Sequence, residues 1–135
     1  MASWMTSKKT HPTNFSHINN VVVDSKFEGL FANELERVCK SGKLLSWVKN
    51  DHLGFKIWYL YKGEIKAYYP DFILRFNNDK YLIVETKGRK KDIDDYKWNA
   101  ITQWVQSINN IGSYGVWKFL TIFNKDEFNK IDEMK

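Results

Sequence analysis

The chain has one cysteine and no apolar run long enough to cross a bilayer, and each scarcity excludes something. Cys39 stands alone, so it cannot close an internal disulfide; on its helical pattern it reads as a small core residue suited to a reducing cytoplasm. Nothing approaches the roughly 20 consecutive apolar residues of a membrane-spanning helix. The opening stretch, MASWMTSKKTHPTNFSHINN, lacks a continuous apolar segment, so a secretory leader is not expected. There is no G-x-x-x-x-G-K-[ST] and hence no expected phosphate loop for ATP. His11, His17 and His52 share no metal-ligand spacing with one another or with Cys39, which argues against zinc. Internal repeats and low-complexity tracts are also missing.

What is present is the composition of one globular domain. The 135 residues are 43% hydrophobic and 16% aromatic, enough to bury about two-thirds of the surface an unfolded chain exposes. The formal net charge of +5 favours polyanionic partners. Residues 1–20 read as a polar arm and 21–135 as a single domain. After a short strand at 21–23, Asp24-Ser25 opens a helix. Its apolar stripe is Phe27, Leu30, Phe31, Leu35 and Val38, and Ser41-Gly42 stops it. A β-rich middle follows, with strands at 44–48, 55–61 and 67–76. Pro70 falls within the last of these and argues for an edge or a bulge there. The apolar run YLIV returns antiparallel as a buried strand after a turn at 77–80. RKKDIDDYK is a charged connection into a second helix with Ile101, Trp104, Val105 and Ile108 on its apolar face. A strand at 116–123 and a polar, helix-like tail complete the order. The expected class is α/β, a mixed β-sheet flanked by helices.

The chemistry concentrates at YYPDFIL and YLIVETKG. A buried strand ending in Glu-x-Lys has charges with a task. A period of two places Glu85 and Lys87 on one face, and the Pro70-Asp71 segment brings a second acid nearby. Two carboxylates suit a hard divalent cation, Mg²⁺ with Mn²⁺ as substitute, and the backbone carbonyl of Thr86 offers a third oxygen. Such a centre hydrolyses phosphodiesters, with Lys87 placing water or offsetting charge on the phosphorus. The arrangement sets a condition on register. If Phe76 opposed Tyr81, Asp71 would point away from Glu85. A common face needs Asp71 opposite Glu85, through an odd-length loop at 77–80 or an irregularity near Pro70.

Other residues admit two readings. Glu28 lies beside the core stripe of the first helix, where it serves either as a third carboxylate or, with Ser25, as a capping box; Glu34 is the fallback ligand. Lys97 extends the line of Ile101, Trp104 and Ile108, either to reach a phosphate or to snorkel. Arg89, Lys90 and Lys91 either grip backbone phosphates or form a solvated charged run. The six tryptophans, Trp58 and Trp117 among them, read mostly as core.

These residues resemble the PD-(D/E)XK nuclease superfamily, through Pro70-Asp71 and Glu85-Thr86-Lys87. Across residues 20–120 the ordered blocks VVVDSKFEGLFANELE, VKNDHLGF, YYPDFIL and YLIVETKG, with Lys97 and Trp104, are similar to the C-terminal endonuclease domain of type III restriction enzyme Res subunits and related helicase-nuclease proteins. The resemblance implies a restriction-endonuclease-like αβββαβ core and Mg²⁺-dependent cleavage of DNA. It implies roles for Glu28 at the metal and for Lys97 at the phosphate. It further implies a helicase or translocase motor or a modification subunit as partner, and pairing of two copies. Trp58 departs from the smaller residue or proline expected in its strand. The competing expectation is a nucleic-acid-binding module of the same fold that does not cut.

Overall fold

The computed structural model describes residues 10–12, 20–22, 26–50, 54–77 and 79–133. Strands β1 (Thr10–Pro12) and β2 (Asn20–Val22) pair antiparallel, so the arm expected to be irregular carries a strand. Helix α1 (Lys26–Lys40) follows. Its expected capping partner Ser25, with His17 and the His52 turn, lies outside the described residues. Then come β3 (Ser46–Lys49), β4 (Ile57–Tyr61), β5 (Glu64–Tyr68), β6 (Phe72–Arg75), β7 (Lys80–Thr86), α2 (Asp92–Ile111), β8 (Val116–Ile122) and a 3-10 helix (Lys125–Glu133).

The central sheet has the order β3-β6-β7-β8. The first three strands are antiparallel, and β8 runs parallel to β7 with α2 as the crossover. It is a mixed sheet flanked by helices. Strand β7 shows why. Leu82 and Val84 enter a core with Phe31, Leu35 and Val38 of α1 and with Trp47, Phe72 and Leu74. Ile83 enters a second core with Ile101 of α2 and with Ile57, Tyr59 and Tyr68. Alternation thus sends one apolar run to both faces, as a strand covered on each side requires. Among the described residues no helix is long and apolar enough to cross a membrane.

Several details differ from the sequence reading. The segment 67–76 is two strands in two sheets, because Pro70 has no N–H with which to continue a ladder. β4 and β5 form a separate hairpin whose turn residues Lys62 and Gly63 both have positive φ (50° and 78°), the combination a tight two-residue turn demands. Helix α2 begins at Asp92, so most of the charged connection is helix. Trp58 is exposed where core was expected, and Leu30 leaves the buried stripe of α1.

Gly115 leads into β8 with φ +87°, and a Cβ there would meet the Asp79 carbonyl at 2.5 Å and the Tyr81 ring at 2.8 Å. That carbonyl accepts the Val116 N–H at 2.9 Å, so it cannot retreat without loss. Gly115→Ala is expected to destabilise the fold by about 2 kcal/mol or more. A lowered urea midpoint at unchanged slope is the measurement.

Candidate active site

The β6–β7 ladder pairs Phe72 with Val84, Ile73 with Ile83, Leu74 with Leu82 and Arg75 with Tyr81. One further step sets Asp71 opposite Glu85. The loop is residues 77–79, odd in length, closed by the Phe76 N–H on the Lys80 carbonyl at 2.8 Å; Asp79 takes φ 56°. The register condition for a shared acid site is met.

The same ladder explains Pro70. Hydrogen-bonded pairs alternate along antiparallel strands. Phe76–Lys80 is one, so Leu74–Leu82, Phe72–Val84 and Pro70–Thr86 would follow. Proline has no N–H, so it cannot donate to the Thr86 carbonyl. The Thr86 N–H goes elsewhere, to Asp71 Oδ2 at 2.9 Å, and Thr86 Oγ1 donates to that same oxygen at 2.9 Å. The Asp71 carbonyl accepts the Asn50 N–H at 2.7 Å. Asp71 is therefore held at both backbone and side chain, next to Glu85.

Glu85 is buried on the α2 side of the sheet, the side Ile83 faces. Burial first, then the charge and contact of Asp71, raise its carboxyl from the ordinary 4.5 to about 9; Tyr68 and Lys87 pull the other way. Near neutral pH it carries a proton, because two carboxylates this close do not both ionise readily. Tyr68 is also buried, and desolvation followed by the charges of Glu85 and Asp71 pushes its hydroxyl far above the usual range, so it remains a donor. The Tyr68–Glu85 approach falls outside hydrogen-bond alignment, leaving the Tyr68 hydroxyl and Glu85 Oε1 buried without an aligned partner. A cation between the acids would answer that deficit.

Lys87 lies just past β7, its N–H extending the ladder to the Ile122 carbonyl at 2.9 Å. Its ammonium is 3.2 Å from Oδ1 of fully buried Asp94, an ion pair without hydrogen-bond alignment. Asp94 Oδ2 accepts the Lys91 N–H at 2.7 Å and so caps α2. Lys97, from the next turn of α2, holds its Nζ 5.5 Å above the Tyr68 ring, which places it beside the site. Arg89, Lys90 and Lys91 are exposed; Lys90 pairs with Asp95 at 2.8 Å.

Asp71, Glu85, Thr86, Lys87 and Lys97 are thus brought together, and Glu28 is not. Glu28 and Lys49 form a buried ion pair at 3.7 Å on the α1 side, opposite the face of Glu85. Among the described residues no three acidic, histidine or cysteine side chains group as metal ligands, so the expected third carboxylate is absent from the pair. The fallback Glu34 is engaged with Arg37 on the same helix. Cys39 is buried, which pushes its thiol up to about 12 and makes it inert. The residues that fit a divalent cation are two carboxylates and one carbonyl, an oxygen set with room for water and substrate. Tyr68, Asp94 and Asn50 were missed by sequence reasoning. The Tyr preceding Pro-Asp by two positions and the acid inside a helix-opening DIDD were the available signals. No family model, curated protein or solved structure matches the chain.

The raised Glu85 carboxyl has a stability consequence. The unfolded chain releases this proton near pH 4.5 and the folded one near 9, so the folded state keeps its full stability below 4.5 and loses it as pH rises between them. In chelator, thermal unfolding should show the protein more stable at pH 5.5 than at pH 8, by an amount on the order of 1–3 kcal/mol. Glu85→Gln should flatten that dependence and raise the melting temperature at pH 8.

Proposed function

We propose that the chain is a divalent-cation-dependent endodeoxyribonuclease of the PD-(D/E)XK kind, hydrolysing DNA phosphodiester bonds with Mg²⁺ or Mn²⁺. The observation that carries this reading is the pairing of buried Glu85 with half-buried Asp71, with the Glu85 carboxyl raised to about 9 and the Lys87 ammonium alongside. The order of elements supports it. Taken with the sheet alone, α1-β3-β6-β7-α2-β8 runs in the αβββαβ sequence that the resemblance implies, with the β4–β5 hairpin inserted after the first sheet strand. The net charge of +5 suits a polyanion.

Asp71 and Glu85 would hold the cation, and the Thr86 carbonyl, left without a donor by Pro70, would complete the protein's share. A bound divalent ion supplies polarisation of the phosphoryl oxygen, a more acidic water and compensation for the leaving oxygen. Glu85 gives up its proton as the site loads. Lys87 orients the attacking water through its ammonium and offsets negative charge on the phosphorus. Asp94 fixes that ammonium at the strand end. Lys97 meets a non-bridging phosphate oxygen from the α2 side, and Arg89 and Lys91 lie ready for flanking phosphates. By the same reading the chain works beside a DNA motor or modification subunit, and two copies would serve to cut both strands.

Plasmid nicking in Mg²⁺ and Mn²⁺ tests the proposal. Asp71→Ala should fall to background, and Lys87→Ala should slow cutting about 10²–10³-fold with circular dichroism unchanged. Equal nicking by all three proteins would assign the activity to a contaminant. Calorimetry gives a second readout: Mn²⁺ binding at pH 7 should release close to one proton per ion, seen as buffer-dependent heats, and Glu85→Gln should abolish that release. Salt-sensitive DNA binding indifferent to chelator and to Asp71→Ala would establish the non-cutting module instead.

A further inference from the structure

The β4–β5 hairpin has two unlike faces. Ile57, Tyr59 and Tyr68 are buried in the core shared with α2. On the other face Trp58, Leu60 and Ile65 are 58%, 61% and 74% exposed. The register pairs Trp58 with Ala67 and Leu60 with Ile65, so period two sets all four on one surface. Tyr69, also exposed, continues it toward Asp71. Lys56 holds its ammonium 4.9 Å above the Trp58 ring, whereas Lys62 at the turn carries its ammonium over the Tyr61 ring, on the other face. Glu64, the one carboxylate between residues 55 and 69, is paired with Lys66 at 3.7 Å, and both belong to the opposite face, across from Tyr61 and Tyr59. The outer surface therefore combines a flat aromatic ring, aliphatic flanks and the Lys56 charge, with no acid on it among the described residues of the hairpin.

We propose that this surface binds a single-stranded segment of DNA, with an unpaired base stacked on Trp58, a neighbour on Tyr69, and Lys56 on a phosphate. The identification of the strand as DNA rests on the nuclease reading. Stacking suits the surface because every base presents a π face, so the contact needs no sequence. Leu60 and Ile65 offer the apolar bed that unstacked bases prefer to water. The placement ties the surface to the acids. Ala67, opposite Trp58, is joined to Asp71 by residues 67 to 71, at most about 14 Å of chain. A strand lying on the hairpin presents a phosphate to Asp71 and Glu85 a few nucleotides further along. The preferred substrate is then DNA with unpaired bases next to the cut: a flap, a fork or a free strand.

The test is fluorescence anisotropy with a labelled oligothymidine and a blunt duplex of equal length, in chelator, so that no cutting occurs. The wild-type protein should bind the single strand more tightly. Trp58→Ala should weaken that binding about tenfold, with circular dichroism unchanged. Lys56→Gln should weaken it less and lower its salt dependence. Tyr114→Ala, at an exposed aromatic in the loop between α2 and β8, should bind as wild type. Binding through Trp58 by a protein that cuts no plasmid would keep this proposal and remove the nuclease. Cutting with no loss of single-strand affinity in Trp58→Ala would do the reverse. Absence of wild-type binding overturns the proposal, as does a sedimentation result in which Ile65→Lys converts a dimer to monomer, since a second copy then owns the face.

Discussion

One constraint organises the molecule: the pairing of β6 with β7 in a single register. With it, Asp71 stands across from Glu85 and Pro70 across from Thr86. A slip of one residue would send every side chain of β7 to the opposite face. Leu82 and Val84 would leave the α1 core and Ile83 would leave the α2 core. The apolar interior thus enforces the alignment of the acids. The odd loop at 77–79 and the left-handed Asp79 fix the same alignment from the turn.

That alignment holds together groups that repel. A buried Glu beside a second carboxylate is unfavourable, and the sheet supplies the energy that keeps them adjacent. The cost is eased locally by protonation of Glu85 and by donors around Asp71: the Thr86 N–H, the Thr86 hydroxyl and, on the backbone, the Asn50 N–H. The acids are thereby placed before any ligand arrives, which spares the ligand the work of ordering them. Opposite faces of the sheet keep separate accounts of charge. Glu28 and Lys49 neutralise each other on the α1 side, and Asp71, Glu85, Lys87 and Asp94 share the α2 side.

What could be read from the chain was what local periodicity encodes. YLIVETK declared a buried strand with Glu85 and Lys87 on one face, and Pro-Asp at hairpin distance located the second acid. The face of α2 and the odd loop followed from the same logic. What could not be read depended on contacts across space. Tyr68 meets Glu85 because the hairpin folds over α2, and nothing local in AYYPD announces that. Asp94 looked like one of several surface acids, yet it alone turns inward to the strand end. Glu28 sat beside the apolar stripe as expected, but spacing within α1 does not say which partner waits there, and Lys49 does. Trp58 has the strand pattern of a core residue; only the detachment of β4 and β5 from the main sheet leaves it in water.

Asp94 joins two elements through one carboxylate, Oδ2 on the backbone of α2 and Oδ1 on the Lys87 ammonium. The opening turn of the helix acts as a latch on the amine. While the latch is closed, the positive charge stays at the strand end and draws the Glu85 carboxyl downward, against burial and Asp71. Were that turn to open, the ammonium would lose its anchor and Glu85 would hold its proton more firmly, with the sheet still intact. A single carboxylate at the opening turn of α2 thus ties the protonation of the acid pair to the integrity of a helix end.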